Sequence, residues 1–354
     1  MWQSSALDVP LAGFAVILLV SAAASPYRGV AIEVTTILVL SGVIYFGSFM
    51  WLLSRAAGAR TALFYAWVLG ALVAALAGLL YSASSYSQIG AHTWIHARAE
   101  IPRGVGPNGL GTTLLLGTIL ASGLAFRVRG WTLVGLSACA SLTFVGLLAT
   151  GSRASLAGLI IGTAYLVYRE LRTRPVLMVS VLAGGAVALV LASAVTPQLH
   201  QRLRDTVTDV SGNRIRIWRT SLSMIRRHPV LGTGFGTFET EYERRKAPGM
   251  SPEPFAFNLA LNIAVETGLV GFLGACWIGV AAVRAWWQQG RRAPPLADPM
   301  RSVIAALWVG LLVDQLADNT LFSVSTSAAL WLMLALLVAS PPRRYTVSGE
   351  TSIP

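Results

Sequence analysis

Long apolar segments alternate with short polar segments along most of the chain. A helix needs about 20 mostly apolar residues to cross the hydrocarbon core of a bilayer. By this criterion the pattern predicts ten spans, at residues 9–25, 33–53, 61–82, 109–126, 131–150, 154–168, 176–195, 262–283, 302–320 and 324–340. The chain is therefore predicted to be an all-α, polytopic integral membrane protein with a single membrane domain over residues 1–354.

Two of the polar segments are longer than a simple turn. Residues 83–108 form a first loop that is polar and aromatic, and residues 196–261 form a large loop between predicted spans seven and eight. With ten spans, both loops fall on the same side of the membrane. The loops on the other side are too short to hold an enzyme, so any chemistry is expected on the side of the two long loops.

The large loop contains a segment with helical periodicity at residues 213–228, before Pro229. Apolar residues recur there at spacings of three and four and form one stripe: Ile215, Trp218, Leu222 and Ile225. Four arginines form an adjacent stripe: Arg216, Arg219, Arg226 and Arg227. The pattern predicts an amphipathic helix that ends at Pro229, because proline cannot continue a helix. The helix could hold an anionic, lipid-linked substrate, or it could rest on lipid headgroups with its arginines solvated or on phospholipid phosphate.

The composition agrees with a membrane protein. Hydrophobic residues make up 55% of the chain and charged residues 12%, about half the charged fraction of a soluble domain. The net charge is +12, and all but one of the 27 basic residues are arginine, which binds phosphate bidentately. These arginines are spread over both membrane faces, so no nucleic-acid partner is expected. Cys139 and Cys276 lie inside apolar runs and imply no disulfide.

The distribution of arginines predicts the orientation in the membrane. Outside residues 196–261, one side receives thirteen arginines, and the other receives four: Arg28, Arg98, Arg103 and Arg153. By the positive-inside rule, the N- and C-termini are predicted in the cytoplasm and the two long loops outside. The ten basic residues of the large loop do not contradict this orientation, because long loops are translocated despite their charge.

Three charged residues near the outer ends of the spans are candidates for a functional site. Arg153 lies in TGSRAS between the fifth and sixth spans, and Asp314 and Asp318 lie one helical turn apart on the ninth. An arginine between helix ends is unfavourable unless it is paired with an anion. That anion is either a substrate phosphate or one of these two acids. Asp318 is alternatively a cap of the short turn at residues 318–320.

Glu266 and the histidines are further candidates. Glu266 lies where the chain re-enters the membrane. Three roles are open for it: a general base, a group that orients an acceptor hydroxyl, or a carboxylate favoured at a helix start. His228 lies at a helix end, which favours a cationic imidazole, and is kept as a supporting candidate. His92 and His96 are four residues apart, but no HExxH motif or cysteine partner accompanies them, so no metal site is predicted. No nucleotide-binding motif is present, and no cofactor is predicted.

In their order, these features resemble the O-antigen ligase and O-antigen polymerase family of bacterial surface-polysaccharide enzymes. The matching motifs are TGSRAS, the pattern R-x-x-x-W-R at residues 214–219, HPVLGTGFGTF and NLALNIAVETGLVGF, separated by a span and a long outer loop. Pro107 and Asn108, at the start of the fourth span, also resemble that family. The resemblance covers about residues 100–340.

The resemblance implies a polytopic glycosyltransferase at the outer face of the bacterial inner membrane. Family members take glycan chains from undecaprenyl pyrophosphate and pass them to an acceptor glycan or glycolipid, with no nucleotide donor and no obligatory metal. Arg153 and Arg219 match the arginines assigned to the donor pyrophosphate, and Arg214 and Arg216 are further equivalents. Fixed guanidinium groups would stabilise the charge that accumulates on the leaving pyrophosphate, so Arg219 joins Glu266 as a catalytic candidate.

The chain departs from the family at Phe257. The family usually has a histidine directly before an asparagine at the start of its last outer motif, whereas here Phe257 precedes Asn258. A phenyl ring cannot accept a proton, which leaves three alternatives. Either Glu266 or another residue replaces the histidine, or the reaction relies on positioning and arginines, or the activity is lost or changed. The departure favours a polymerase or a divergent member over a lipid A–core ligase. Relatives commonly carry further spans before the region that matches residue 9.

Two alternative functions use the same residues. A transporter of an anionic solute or a lipid-linked sugar would use the arginines with Asp314 and Asp318 as its binding site. It predicts polar residues through several spans, whereas in this chain they concentrate at the outer ends. A non-catalytic member of a polysaccharide-export complex is the second alternative, and Phe257 is compatible with it.

Overall fold

The computed structural model of the chain describes residues 4–56, 58–89, 100, 105–173, 176, 178, 210–292, 300–320 and 324–339. Over these residues the chain is helical between short turns and contains no β-strand. The helices are α1 (Asp8–Ala24), α2 (Arg28–Arg55), α3 (Ala59–Ile89), α4 (Pro107–Ala125), α5 (Trp131–Thr150), α6 (Arg153–Leu171), α7 (Val210–Arg227), α8 (Phe238–Glu243), α9 (Leu259–Arg292), α10 (Arg301–Gln315) and α11 (Val324–Val338).

The apolar helices confirm a polytopic membrane protein. Within the described residues, α2, α3, α4, α5 and α9 are long and apolar enough to cross a membrane, and α1 and α11 are shorter apolar helices. Every predicted span except residues 176–195 overlaps a described helix. Residues 176–195 lie almost wholly outside the described residues, so the number of ten spans stays a prediction.

Two predicted spans differ from the helices in the structure. The ninth, residues 302–320, is too long, because α10 ends at Gln315. The Gln315 side chain there accepts the backbone N–H of Thr320 (3.1 Å) and donates to its hydroxyl (2.9 Å), which holds a turn. The eighth, residues 262–283, begins earlier, at Leu259, and α9 is interrupted at Gly268.

The centre of the bundle is formed by α4. Its side chains Leu114, Leu115, Ile119 and Leu120 are completely buried. In contrast, α2 and α3 expose many large apolar side chains, among them Ile37, Leu40, Val43, Leu69, Val73 and Leu80. Contiguous exposed apolar surface of this kind marks the faces that contact lipid.

Helices α6 and α10 pack closely through small residues. A carbon added at Gly158 would lie 2.4 Å from the carbonyl oxygen of Gly310, and one added at Gly162 would lie 2.9 Å from that of Ala306. Small residues allow two helix backbones to approach in this way. The close packing brings the start of α6 beside the end of α10, where Asp314 lies.

A second, smaller core lies outside the main bundle, between α7, α8 and the first turns of α9. Its buried members are Ile217, Met224, Phe238, Tyr242, Met250, Ala256 and Val265. The indole N–H of Trp218 donates to the carbonyl of Ala256 (3.0 Å) and attaches α7 to the chain before α9. The predicted amphipathic helix at residues 213–228 is therefore confirmed, and it packs on the protein.

The predicted apolar stripe of α7 is wrong in part. Ile215 and Leu222 are 43% and 45% exposed, and Trp218 and Ile225 are half-buried. The buried face consists of Ile217, Ser221 and Met224. These residues also recur at spacings of four and three, and Ser221 is accepted in the core because its hydroxyl donates to the carbonyl of Ile217 (2.9 Å).

Candidate functional site

Arg153 is the first residue of α6, directly after the turn that follows α5. The Ser152 side chain caps the helix by accepting the backbone N–H of Ser155, and the two serine hydroxyls lie 2.9 Å apart. The side chain of Thr150 accepts the backbone N–H of Ser152 (3.1 Å). Hydrogen bonds therefore fix the TGSRAS turn on both sides of Arg153, which is half-buried.

Asp314 is completely buried beside this turn. Its carboxylate accepts hydrogen bonds from the hydroxyls of Thr112 and Ser155 and from the side-chain amide of Gln315, each at 2.8 Å. The carboxylate thus joins α4, α6 and α10 at one end of the bundle. Asp318 is also buried and accepts the backbone N–H of Asn319 (2.8 Å), and its role as a cap of the turn stays a prediction.

Asn258 connects this end of the bundle to the second core. Its side-chain oxygen accepts the backbone N–H of Leu261 (3.0 Å) and caps α9, while its amide nitrogen donates to the carbonyl of Leu316 (2.9 Å) just after α10. The preceding residue, Phe257, has the Arg214 guanidinium 5.4 Å from its ring centroid. These contacts bring Arg214 of α7 to the same end of the bundle as Arg153. We call Arg153, Arg214, Phe257, Asn258 and Asp314 the arginine rim.

The other arginines of α7 lie on its exposed faces. Arg216, Arg219, Arg226 and Arg227 are exposed. Since successive residues of a helix are rotated by about 100°, Arg219 points roughly 140° away from Arg214. The contacts described above therefore place Arg153 and Arg214 at the same end of the bundle, while Arg219 is exposed and points away from Arg214. Its assignment to the donor pyrophosphate stays a prediction.

Phe257 has an unusual backbone conformation. It has φ of 50° and is the non-glycine residue with positive φ among the described residues. A bulky side chain is rare in this left-handed region, whereas histidine is enriched there several-fold. Hydrogen bonds fix the peptide groups before it, because Ala256 donates its N–H to the Asn262 side chain (3.0 Å) and its carbonyl accepts from Trp218. The backbone at Phe257 thus suits a histidine better than a phenylalanine.

Helix α9 is interrupted at Gly268, and the segment that follows α7 binds to the backbone there. Gly268 has φ of 65° and ψ of −168°, so the helical hydrogen bonds across it cannot form. Residues 229–237, which we call the glycine segment, supply the partners instead. Four backbone hydrogen bonds join the two: Leu269 N–H to Pro229 (2.8 Å), Val270 N–H to Val230 (3.2 Å), Thr233 N–H to Val265 (3.0 Å) and Gly234 N–H to Glu266 (2.8 Å).

Glu266 lies at this junction, on the α9 side. It is 4% exposed, and its carboxylate accepts the backbone N–H of Phe238 (3.1 Å) at the start of α8. The amide of Gly236 also interacts with it. The expectation of a carboxylate at the start of its own helix is wrong, since α9 begins seven residues earlier, at Leu259. Glu266 instead binds the first amide of a different helix.

A polar cluster between α8 and the turn before α2 was missed from the sequence. The Tyr27 hydroxyl donates to the buried Glu241 carboxylate (2.6 Å), Arg245 also donates to it, and Arg244 donates to the Tyr27 oxygen (3.0 Å). Burial disfavours the charged form of Glu241, but the hydrogen bonds from Tyr27 and Arg245 and the nearby His228 outweigh it and hold the pKa of Glu241 below its usual value. Tyr27 and Glu241 are 214 residues apart, and no pattern connects them in the sequence.

An apolar cavity of about 390 Å³ lies between α1, α2, α9, α10 and α11. Leu259, the first residue of α9 and the neighbour of Asn258, lines it at the arginine rim. Asp8 lines it at the start of α1, and the walls are otherwise almost entirely apolar. The cavity therefore extends from Leu259, the residue after Asn258, into the apolar interior of the bundle.

His92, His96, Arg98 and Arg103 lie outside the described residues, as does most of the first loop at residues 83–108. In the part of the chain that the structure describes, no group of three or more His, Cys, Asp or Glu side chains is arranged to hold a metal ion.

Comparison with known proteins gives one finding that bears on this site. A family model described as O-antigen ligase matches residues 138–276. The matched region runs from within α5 to within α9 and includes Arg153, α7, the glycine segment, Phe257 and Glu266. No curated protein matches the chain.

Proposed function

Because the match over residues 138–276 supports assignment to the O-antigen ligase and polymerase family, we propose that the protein transfers or polymerises polyprenyl-pyrophosphate-linked glycans. The reaction takes place at the outer face of a bacterial inner membrane during synthesis of O-antigen, capsule or exopolysaccharide. The observation that carries this proposal is the arginine rim. Contacts through Phe257, Asn258 and Asp314 hold Arg153 and Arg214 at the same end of the bundle.

The chemistry needs positive charge at the leaving group. The bond between the anomeric carbon and the pyrophosphate oxygen breaks, and its electron pair stays on the pyrophosphate. The acceptor hydroxyl oxygen forms the new glycosidic bond and releases its proton. Guanidinium groups fixed in advance stabilise the developing charge on the pyrophosphate. We assign this role to Arg153 and Arg214. We assign to Arg216 and Arg219 the contacts that the pyrophosphate makes elsewhere along α7.

The apolar cavity supports a lipid-linked donor. Leu259 lines the cavity and directly follows Asn258 in the chain, so a pyrophosphate at the arginine rim would have an apolar space nearby. A prenyl chain moves there from lipid without losing apolar surroundings, because lipid tails are as apolar as these walls. The prenyl units next to the pyrophosphate are therefore occupants consistent with the walls.

The presence of Phe257 favours a second candidate function, in which the protein is a non-catalytic member of a polysaccharide-export complex. The phenyl ring cannot take the acceptor proton that the family histidine is thought to take. In the catalytic account, the reaction relies on positioning and on the arginines, and the proton leaves to water. In the non-catalytic account, the protein binds the same lipid-linked glycan but releases no polyprenyl pyrophosphate.

Both accounts are tested by incubating the purified protein in lipid nanodiscs with lipid-linked oligosaccharides of its host. A ladder of longer glycans, or glycan transferred to an acceptor, is expected together with free polyprenyl pyrophosphate. Arg153→Ala and Arg214→Ala should each abolish the product, and Arg219→Ala should reduce it. Arg172→Ala is the matched control, because Arg172 is exposed at the opposite end of α6 from Arg153. Wild-type product from both Arg153→Ala and Arg214→Ala would refute the donor-site assignment.

A further inference from the structure

At the interruption of α9, backbone groups that would pair within the helix form hydrogen bonds with the glycine segment instead. In an unbroken helix, Leu269 and Val270 would donate to the carbonyls of Val265 and Glu266, four residues earlier. Here those two N–H groups donate to residues 229 and 230 of the glycine segment, while the two carbonyls accept from Thr233 and Gly234. Both sides of the break therefore keep their hydrogen bonds. This matters because a backbone N–H or carbonyl group that is left unpaired away from water is unfavourable.

The exchange depends on a very close approach of two backbones. A carbon added at Gly268 would lie 2.2 Å from the carbonyl oxygen of Val230, and one added at Gly232 would lie 2.4 Å from the carbonyl carbon of Glu266. The hydroxyl of Ser21 in α1 donates to the carbonyl of Leu231 (2.6 Å) from the other side. The glycine segment is therefore held between α1 and α9.

The side chain of Glu266 adds a connection at the far end of this junction. The glycine segment leads from α7 to α8, and the Glu266 carboxylate accepts the first N–H of α8. Since α7 ends at Arg227, with only His228 between it and the segment, and α8 begins directly after the segment, Glu266 and the exchanged bonds fasten both ends of the segment. The direction of α7, which carries Arg214, is set by these contacts and by the second core.

The same surroundings keep Glu266 away from a substrate. The residue is 4% exposed, and its carboxylate is occupied by backbone amides of the protein. A general base has to lie within hydrogen-bonding reach of the proton that it removes. A carboxylate buried beneath the glycine segment does not meet that requirement.

We infer that Glu266 is a positioning residue, which fastens the glycine segment and α8 to the interrupted α9 and so orients the arginine helix α7. This inference rests on the proposed function for its effect on catalysis. It replaces the alternative in which Glu266 is the general base. The effect of Glu266 on the local structure can be measured without any substrate.

Two variants of Glu266 separate positioning from proton transfer. Glu266→Gln keeps a side-chain oxygen that accepts the Phe238 N–H, so this variant should retain transfer within about 10-fold of the wild type, with the same shape of pH profile. Glu266→Leu has no acceptor and should lower kcat/KM for the lipid-linked donor by at least about 100-fold at every pH. If Glu266 were the base, both variants would lose about 10² to 10⁴ in rate, and the acidic limb of the profile would disappear. That result would overturn the inference.

A stability control and hydrogen exchange complete the test. Leu307→Ala removes a buried side chain from the main core, so it should lower the thermal midpoint without changing kcat/KM for the donor. In Glu266→Leu, the amides of residues 233–238 should exchange at least about 10-fold faster than in the wild type, and in Glu266→Gln they should not. Unchanged exchange in Glu266→Leu would refute the inference. If the wild type transfers no glycan but the exchange pattern is as expected, the fastening stands and the proposed function fails.

Discussion

Replacing Gly268 by alanine tests the break in α9 most sharply. Its φ of 65° and ψ of −168° lie in a region that is essentially restricted to glycine. Strain of this kind amounts to about 1–3 kcal/mol. The new methyl group would also lie 2.2 Å from the Val230 carbonyl oxygen, so the backbones have to separate.

The separation affects the hydrogen bonds that Leu269 and Val270 donate to the glycine segment. A typical hydrogen bond contributes about 0.5–1.5 kcal/mol, so the loss of both adds about 1–3 kcal/mol. Together with the strain, Gly268→Ala should destabilise the protein by about 2–6 kcal/mol. The glycine segment and α8 should lose their order first.

The assay is denaturant unfolding of the detergent-purified protein, with hydrogen exchange over residues 229–243. Gly135→Ala is the matched control, because Gly135 lies within α5 and an added carbon there meets no atom within 4 Å. That variant should be neutral, or stabilised by up to about 1 kcal/mol, since alanine favours a helix more than glycine does. Equal stability of Gly268→Ala and Gly135→Ala would show that the two backbones are not held together as described.

Three further predictions concern the arginine rim and the polar cluster beside α8. Phe257→His should leave the thermal midpoint unchanged or raise it, because histidine tolerates φ of 50° better than phenylalanine; a fall of several degrees would mean that packing of the ring outweighs the backbone. Asp314→Leu should destabilise the protein by more than about 3 kcal/mol in denaturant unfolding, because three buried donors lose their acceptor, and Asp314→Asn should be milder; the reverse order would contradict this reasoning. Because the pKa of Glu241 is lowered in the folded protein, its contribution to stability is present above its usual value of 4.5 and is lost as the pH falls through the lower, folded value. Tyr27→Phe removes one cause of that shift and should weaken the dependence of α8 exchange on pH in this acidic range, whereas an unchanged dependence would exclude the Tyr27 contact as its cause.

The helices of the membrane domain were predictable because each needs only a long apolar run. The amphipathic helix at residues 213–228 was also located closely, since Pro229 marks its end, and the structure has it as Val210–Arg227. The buried face of this helix was not predicted correctly, because two stripes of residues fit the same helical spacing. Only the packing against Phe238, Tyr242 and Met250 selects the face with Ile217 and Met224.

The break at Gly268 was not predictable from local pattern. Apolar residues continue at helical spacing on both sides of it, and glycine alone does not end a helix in a membrane protein. The partner segment lies more than 30 residues earlier in the chain. For the same reason, Arg153, Asp314 and Glu266 were recognisable as candidates from their charge in apolar surroundings, but their partners depend on contacts between distant helices.

The location of the arginine rim could be predicted only in part. The TGSRAS turn and the acids of the ninth span were expected at one end of the bundle, and the contacts of Ser155 with Asp314 agree with that expectation. The contact between Arg214 and Phe257 was not expected, because the two residues are far apart in the chain and Phe257 has a left-handed backbone. That conformation depends on hydrogen bonds to Trp218 and Asn262, which no short motif reveals.

The most direct test of the arginine rim is the affinity of the protein in nanodiscs for polyprenyl pyrophosphate, measured beside polyprenyl monophosphate. A hydrogen bond to a charged group contributes about 1.5–3 kcal/mol, which corresponds to about 10- to 150-fold in affinity. Arg153→Ala and Arg214→Ala should each weaken pyrophosphate binding by this factor, and Arg172→Ala should bind as the wild type does. Equal affinity of the wild type and all three variants for the pyrophosphate would contradict the account.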